Sequence, residues 1–263
     1  MTDLTLADLR AGFRELRLTG CPVIVHASIK AFGPIQGGPE TLLQAVLEST
    51  ACMIVPTFTY KTMVTPGVGP PNNGLTYGAD QDANRMVIPF RADMPADPLM
   101  GFFPEMVRLH HAARRTSHPI LSFAGIHAEA ALAAQSLSNP LAPIGVLAEQ
   151  DGWVLLLGTD HTVNTSIHYA EKLAGRRQFT RWALTPQRVL ECVGFPGDSG
   201  GFEVIATELE QDSRCVQVGA ARVQAVPHIR LFEVVQTRLK KNPLDLLCPR
   251  ADCERCGAIR ATV

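Results

Sequence analysis

The chain has 263 residues, 46% hydrophobic and 19% charged, enough to bury a sizeable core in one large α/β domain or two small ones. With 24 basic and 25 acidic residues the net charge is −1, so no overall basic field draws in nucleic acid or an anionic membrane, and neither is expected as a partner. No apolar run approaches the ~20 residues of a spanning helix, and seven scattered cysteines suit reduced thiols better than a disulfide framework, so a cytoplasmic enzyme is the expectation.

In chain order, Thr5 precedes LADLRAGFREL, where Leu6, Leu9, Phe13 and Leu16 recur at helical spacing, and it reads as the cap of a first helix. CPVIVHAS is a buried strand. AFGPIQGGPETLLQAVLEST is a Gly/Pro loop feeding a second helix with Pro39 in its first turn, and ACMIVPTFTY is a second strand. This βαβ-like opening predicts a layered α/β fold. From Lys61 to about Met100 the pattern becomes irregular and rich in Pro, Gly, Asn and Asp, as expected of a functional insertion in a single domain spanning 1–263. FPEMVRLHHAARR then reads as a helix, HPILSFAGIH as a strand, AEAALAAQSLS as an Ala-rich helix, and SNPLAPIGVLAEQ as a break before a short helix. DGWVLLL is a further buried strand. Beyond it RRQFTRWALTP alternates and turns, FEVIATELEQ and VQVGAARVQAVP read as strands, and IRLFEVVQTRLKKN as the last long helix.

The densest chemistry follows DGWVLLL, in GTDHTVNTSIHYAEKLAG. A helix starting near Asn164 or Thr165 puts Asn164, His168 and Glu171 at i, i+4 and i+7 on one face. His168 and Glu171, three apart, form a base and a carboxylate able to hold its imidazole in one tautomer. HxxE alone is common on solvated helices; its place at the carboxyl end of an apolar strand, where open α/β sheets hold their ligands, gives it weight. His161, His168 and Glu171 also match the composition of a two-His, one-carboxylate metal site, but they straddle a loop-to-helix boundary without the HExxH spacing. The C-terminal CPRADCERC carries Cys248, Cys253 and Cys256, one thiolate short of a four-cysteine zinc site unless Cys192 or Cys215 folds back. No metal is expected.

Several segments in order, VHASIKAFGPIQGGPETLLQAV, MIVPTFTY, DPLMGFFPEMVRLHHAARRTSHPILSFAGIHAEA and DGWVLLLGTDHTVNTSIHYAEKLAG, resemble the aminoglycoside 3-N-acetyltransferase, or antibiotic N-acetyltransferase, family from about Leu4 to Lys172. The resemblance implies a layered α/β/α fold, distinct from the common small acetyltransferase fold, with a small subdomain beside the acceptor site that best fits the Lys61–Met100 insertion. It implies acetyl transfer from acetyl-coenzyme A to the 3-amino group of a 2-deoxystreptamine ring, with His168 as general base polarised by Glu171 and no acyl-enzyme. Coenzyme contacts are expected from the loop after the first strand, at Ser28, Lys30, Ala31, Phe32 and Gly33, and from Arg115, Ser117 and Ser122. For the polycationic acceptor, Tyr60, Tyr77, Asp80, Asp82, Glu105 and Asn164 are the candidates, on the acidic surplus of Gly78–Glu105. Two departures from the family pattern fall in the acceptor half: His127, in GIHAE, where a glycine–proline pair is usual, and KTMVTPGVGPPNNG after PTFTY. An acetyltransferase of the same family acting on a non-antibiotic amine is the alternative; an idle coenzyme-binding protein and a metal-dependent hydrolase rank below both. The sequence leaves a homodimer open.

Overall fold

The computed structural model describes residues 3–78 and 84–263. Among them ten strands form a seven-stranded and a three-stranded sheet. At the centre of the larger lie three parallel strands, β2 (Cys52–Pro56), β1 (Pro22–Ala27) and β6 (Trp153–Leu157), with β1 between the other two. The sheet is extended antiparallel on one side by β5 (Phe123–Ile126) and β4 (Ala113–Arg115), and on the other by β10 (Ala221–Pro227) and β9 (Arg214–Val218).

Helices cover both faces because the central strands are apolar on both sides, as parallel strands must be when buried. Alternation sorts their side chains. Val23, Val25, Met53, Val55, Leu155 and Leu157 pack with α1 (Leu6–Glu15), α2 (Pro39–Ser49) and α3 (Phe102–Leu109). Ile24, Ile54, Val154 and Leu156 pack on the opposite face with α4 (Glu129–Ala133), α5 (Ala142–Glu149), α6 (Thr165–Leu173) and α8 (His228–Lys241). The expected α/β/α layering is therefore present, and the helix starts follow local chemistry. Thr5 and Asp8 form a reciprocal capping box on α1, and Pro39 opens α2.

Three expected elements change. The helix read in FPEMVRLHHAARR stops at Leu109, and Ala113–Arg115 becomes β4, because the open edge of β5 supplies backbone partners that the helical pattern does not foresee. FEVIATELEQ is a 3-10 turn, Phe202–Ile205, running into α7 (Ala206–Leu209). Its buried Phe202, Ile205 and Leu209 stand at i, i+3 and i+7, a helical period rather than the alternation of a strand. The Ala-rich helix is short, ending at Ala133.

The Lys61–Met100 segment does not stand alone. Its two-residue strand β3 (Met63–Val64) pairs with β7 (Phe179–Leu184), which pairs with β8 (Val189–Phe195), giving the smaller sheet. Thr180 N donates to Asn73 Oδ1 at 2.9 Å, Arg181 donates to the carbonyls of Asn73 and Gly74, and Phe90 N donates to Leu184 O at 2.8 Å. So short a strand needs the hairpin from later in the chain to hold it. His127 adopts φ 56°, a left-handed conformation that a glycine would hold without strain. The C-terminal helix is α9 (Glu254–Arg260). No helix among the described residues is long and apolar enough to cross a membrane.

At the carboxyl end of β6, Gly158 takes φ 65° and its Cα faces the turn that follows β1. An added Cβ would overlap the Ala31 methyl and approach Ser28 O at 3.3 Å. Gly158→Ala is expected to cost roughly 2–5 kcal/mol, combining left-handed strain with overpacking. Urea unfolding checks this; a variant within about 0.5 kcal/mol of the native chain would mean that the junction relaxes freely.

Candidate active site

The carboxyl ends of β1, β2 and β6 open into one cavity of about 530 Å³. The sheet order makes β1 the switch point: the chain moves to one side of it at β2 and to the other at β6, leaving a crevice where α/β sheets hold ligands. β1 and the turn after it contribute His26, Ser28, Ile29 and Lys30; the end of β2 contributes Pro56, Phe58 and Tyr60. After β6 come Thr159, Thr162, Asn164, Thr165 and His168, and the opposite wall is Phe195–Ser199 with Arg255 from α9.

His168 lies on the first turns of α6, mostly buried, its ring edge-on to Phe202 with centroids 4.7 Å apart. Its Nδ1 is 3.0 Å from Glu171 Oε2, the i, i+3 contact expected, which leaves Nε2 as the nitrogen for the cavity. Glu171 is also buried, and its other oxygen, Oε1, lies 3.6 Å from Arg176 Nε. Arg176 is absent from the expected set, yet local structure places it. Gly175 at φ 82° turns the chain at the end of α6; Gly175 N donates to Lys172 O at 3.0 Å and Arg176 N to Glu171 O at 2.9 Å, the paired bonds of a Schellman cap. That cap folds residue 176 back beside residue 171, so a glutamate followed four residues on by Gly-Arg was the available signal. Burial lowers the pKa of Arg176, against the attraction of Glu171, and Arg176 Nη2 donates to Asp245 O at 2.6 Å.

The start of α6 is held by neutral polar groups. Asn164 caps it, its Oδ1 accepting from Ser166 N at 3.1 Å while its amide group meets His161 Nδ1 at 3.2 Å. His26 Nε2 accepts from Thr165 N at 3.3 Å, and Ser166 Oγ lies 3.1 Å from His228 Nε2. Desolvation brings the pKa of His26 down to about 3, with the nearby His161 and His228 adding to the shift. Burial likewise lowers His161, His228 and His118 to about 4. Unpaired buried nitrogens remain at His161 Nε2, His228 Nδ1 and His118 Nε2. Among the described residues His161, His168 and Glu171 are not grouped closely enough to share an ion.

The other expected residues divide. Ser28, Lys30, Tyr60 and Asn164 line the cavity with His168. Ala31 packs under Gly158, Phe32 is buried in the core, and Gly33 ends the turn at φ 78°; these three do not line it. Arg115 and Ser117 line a separate depression with His118. Arg115 spends its donors on Ala92 O, Met94 O, Thr57 O and Ser122 Oγ, and the buried Ser122 hydroxyl donates to Thr57 O at 2.8 Å. Both residues therefore tie the Phe90–Met94 region to the end of β2. Tyr77 packs on Trp182, accepts from Asn73 Nδ2 and donates to Pro70 O, away from the cavity. Glu105 pairs with Arg108 and accepts from Ala96 N. Asp80 and Asp82 lie outside the described residues. Phe58, Pro196–Ser199 and Arg255 were not foreseen, because they reach the cavity from segments with no local catalytic pattern.

A carboxylate-backed histidine thus opens into a crevice at the ends of parallel strands, where open α/β sheets hold their ligands. The chain belongs to the aminoglycoside 3-N-acetyltransferase family, whose model matches residues 24–240. It is 26% identical over 219 residues to aminoglycoside N(3)-acetyltransferase III of Salmonella sp., covering 72% of this chain and 73% of that one. With aminoglycoside N(3)-acetyltransferase IX of Micromonospora chalcea it shares 33% over 183 residues, 65% of this chain and 60% of the other. The fold is that of the aminoglycoside acetyltransferase AAC(3)-IVa apoenzyme, with TM-score 0.81 at 22% identity over 100% of this chain and 99% of that one. A structure of AAC-IIIb with CoASH superposes with TM-score 0.75 at 23% identity, over 95% and 100% of the two chains.

The buried histidines set a pH limit on stability. Their folded pKa values of about 3 to 4 lie below the ordinary 6.5, so as pH falls the unfolded chain takes up protons that the folded chain refuses. Stability is expected to be full above about pH 6.5 and to fall from there toward about pH 4, by up to about 1.4 kcal/mol per pH unit for each such histidine. Urea midpoints across this range provide the test; no decline below pH 6 would mean the histidines charge inside the fold.

Proposed function

We propose that this chain transfers the acetyl group of acetyl-coenzyme A to the 3-amino group of a 2-deoxystreptamine aminoglycoside, with His168 as general base, and so confers resistance to the drug. The observation that carries the reading is the His168–Glu171–Arg176 chain at the cavity, joined to membership in a family whose named relatives are aminoglycoside N(3)-acetyltransferases.

The bound ammonium first loses one proton to solvent. The neutral amine then attacks the thioester carbonyl while His168 Nε2 takes a proton from the nitrogen, forming the new C–N bond and a tetrahedral oxyanion. Collapse breaks the C–S bond, and the imidazolium returns its proton to the leaving thiolate, giving amide and free coenzyme A. Glu171 keeps the Nδ1 proton of His168 in place and balances the charge of the imidazolium, while Arg176, 3.6 Å away, orients Glu171. The Ser28 hydroxyl and the Ile29–Lys30 backbone, on the cavity wall, are the proposed donors to the oxyanion. Lys30 faces the same cavity as a partner for coenzyme phosphate, and the exposed Leu99 and Phe102 give apolar surface for the pantetheine arm.

A second reading, the same transfer to an amine with fewer charges, is favoured by the acceptor electrostatics. The carboxylate lining the cavity among the described residues is Asp198, which already holds Arg250 and Arg255. Of the acidic surplus in Gly78–Glu105, Asp93 and Glu105 are paired with Arg91 and Arg108, and Asp97 caps the turn at Leu99. Among the described residues of that stretch, Asp93 and Glu105 therefore have their charges matched by arginines.

Free-thiol release from acetyl-coenzyme A, with a panel of aminoglycosides beside simple monoamines, separates the two readings. Drug-dependent release is expected, and His168→Ala should cut turnover by about 10²- to 10⁴-fold while coenzyme A binding, measured by calorimetry, stays nearly intact. Undiminished turnover in that variant would remove His168 from the reaction. Release only with monoamines would make the second reading the correct one.

A further inference from the structure

Cys248, Cys253 and Cys256 are buried together, with their sulfur atoms all within 4.8 Å of one another. They come from the loop before α9, from the residue that starts it, and from its first turn. They also form a cluster of their own, apart from the two cores on the faces of the large sheet, and a half-buried Leu247 is the hydrophobic residue packed against it. The surrounding sequence, CPRADCERC, is otherwise mostly charged. Leu246, Ala258 and Ile259 on either side of it join the core on one face of the large sheet, while the three thiols face one another.

We infer that Cys248, Cys253 and Cys256 hold a structural zinc ion through their three thiolates. In a tetrahedral zinc–thiolate centre, Zn–S bonds of about 2.3 Å put the sulfurs roughly 3.8 Å apart. The three thiols therefore need to draw in by about an ångström or less from their outer limit. A disulfide would join two of them and leave the third buried without a function; an ion uses all three. Soft sulfur donors in tetrahedral array select zinc among the common divalent ions.

Cys192 and Cys215, the other conceivable thiolates, sit on β8 and β9 and are not part of this group. Asp198 lies beside Cys248 but outside the group of three sulfurs. Its carboxylate is in hydrogen-bonding contact with Cys248, and its Oδ1 accepts from Gly200 N at 2.9 Å. Three thiolates around a dication leave one surplus negative charge, and Asp198 adds another. Two guanidiniums offset them: Arg250 and Arg255 both reach Asp198 Oδ2, at 3.1 and 3.2 Å. Arg260 Nη2 donates to Cys248 O at 2.7 Å, fixing the first ligand's backbone from the far end of α9. Such outer partners orient ligands and tune a site's affinity.

The consequence reaches the cavity. Asp198 and Arg255 line it, and Arg255 Nη1 also donates to Gly197 O at 3.0 Å. A metal ordering the start of α9 thereby holds Arg255 against the Asp198 loop and fixes one wall of the cavity. It supplies no group to the reaction and stands whatever amine the cavity accepts. The expectation of a metal-free chain gives way to this proposal.

The test uses the full chain, expressed with added zinc and purified under reducing conditions without chelator. Metal content by plasma mass spectrometry is expected to be close to one zinc per chain. After chelator stripping, cobalt(II) is expected to give thiolate-to-metal charge-transfer absorption and the intense visible bands of tetrahedral coordination, and stripping should lower Tm. The Cys253→Ser/Cys256→Ser variant should lose the zinc and the cobalt spectrum. Because that variant could fail to fold, the wild-type cobalt spectrum decides independently. A reduced wild type that holds no zinc, cobalt confined to a weak octahedral spectrum, or zinc retained by the double variant would each overturn the proposal.

Discussion

The buried carboxylate of Glu171 is the constraint around which this site is arranged. A lone charge taken out of water costs several kcal/mol, and here it is met on one side by His168 Nδ1 and on the other by Arg176 Nε. Neither partner is placed independently of the carboxylate. His168 shares a helix face with it, and Arg176 is returned to it by the cap that ends the same helix. The helix, its glycine terminator and the polar chain thus form one local unit of about three turns. That unit is anchored in the larger core through Ile167 and Ala170.

What this unit can do depends on the sheet beneath it. Parallel pairing of β1 with β2 and β6 brings three strand ends to one side, so the loops after them converge on a common opening. The histidines nearest the start of α6 are held neutral by burial and act as hydrogen-bonding groups of the scaffold. His168 differs from them by its carboxylate partner and by facing the cavity. Of the histidines in this region it alone combines both properties, which is why the proposed proton transfer is assigned to it.

The rest of the opening is walled by segments from late in the chain. β7 and β8 hold the irregular stretch after β2 in place, and the end of β8 leads directly into Pro196–Ser199. α9 then closes this wall through Arg255. The proposed zinc site lies behind the same contacts, so the stiffness of the wall and the cysteines of the tail become a single question. Among the described residues of this wall, Asp198 is matched by Arg250 and Arg255.

Much of this was legible in local sequence. The caps at Thr5 and Pro39, the apolar strands ending at Ala27, Pro56 and Leu157, and the His168–Glu171 spacing each follow from rules acting over a few residues, and each is present in the fold. Among the misread elements β4 forms because β5 offers an edge and β3 because β7 does, whereas FEVIATELEQ carried its helical period in its own sequence. Arg115, Ser122, Tyr77 and Glu105 looked like ligand contacts by residue type, but the fold gives each an internal partner that uses its polar atoms. The sequence by itself determined the helix that carries His168 and Glu171, because both lie within one turn of each other. Only the tertiary structure decided which unforeseen side chains share the cavity with His168, because Phe58, Asp198 and Arg255 meet there through contacts spanning most of the chain.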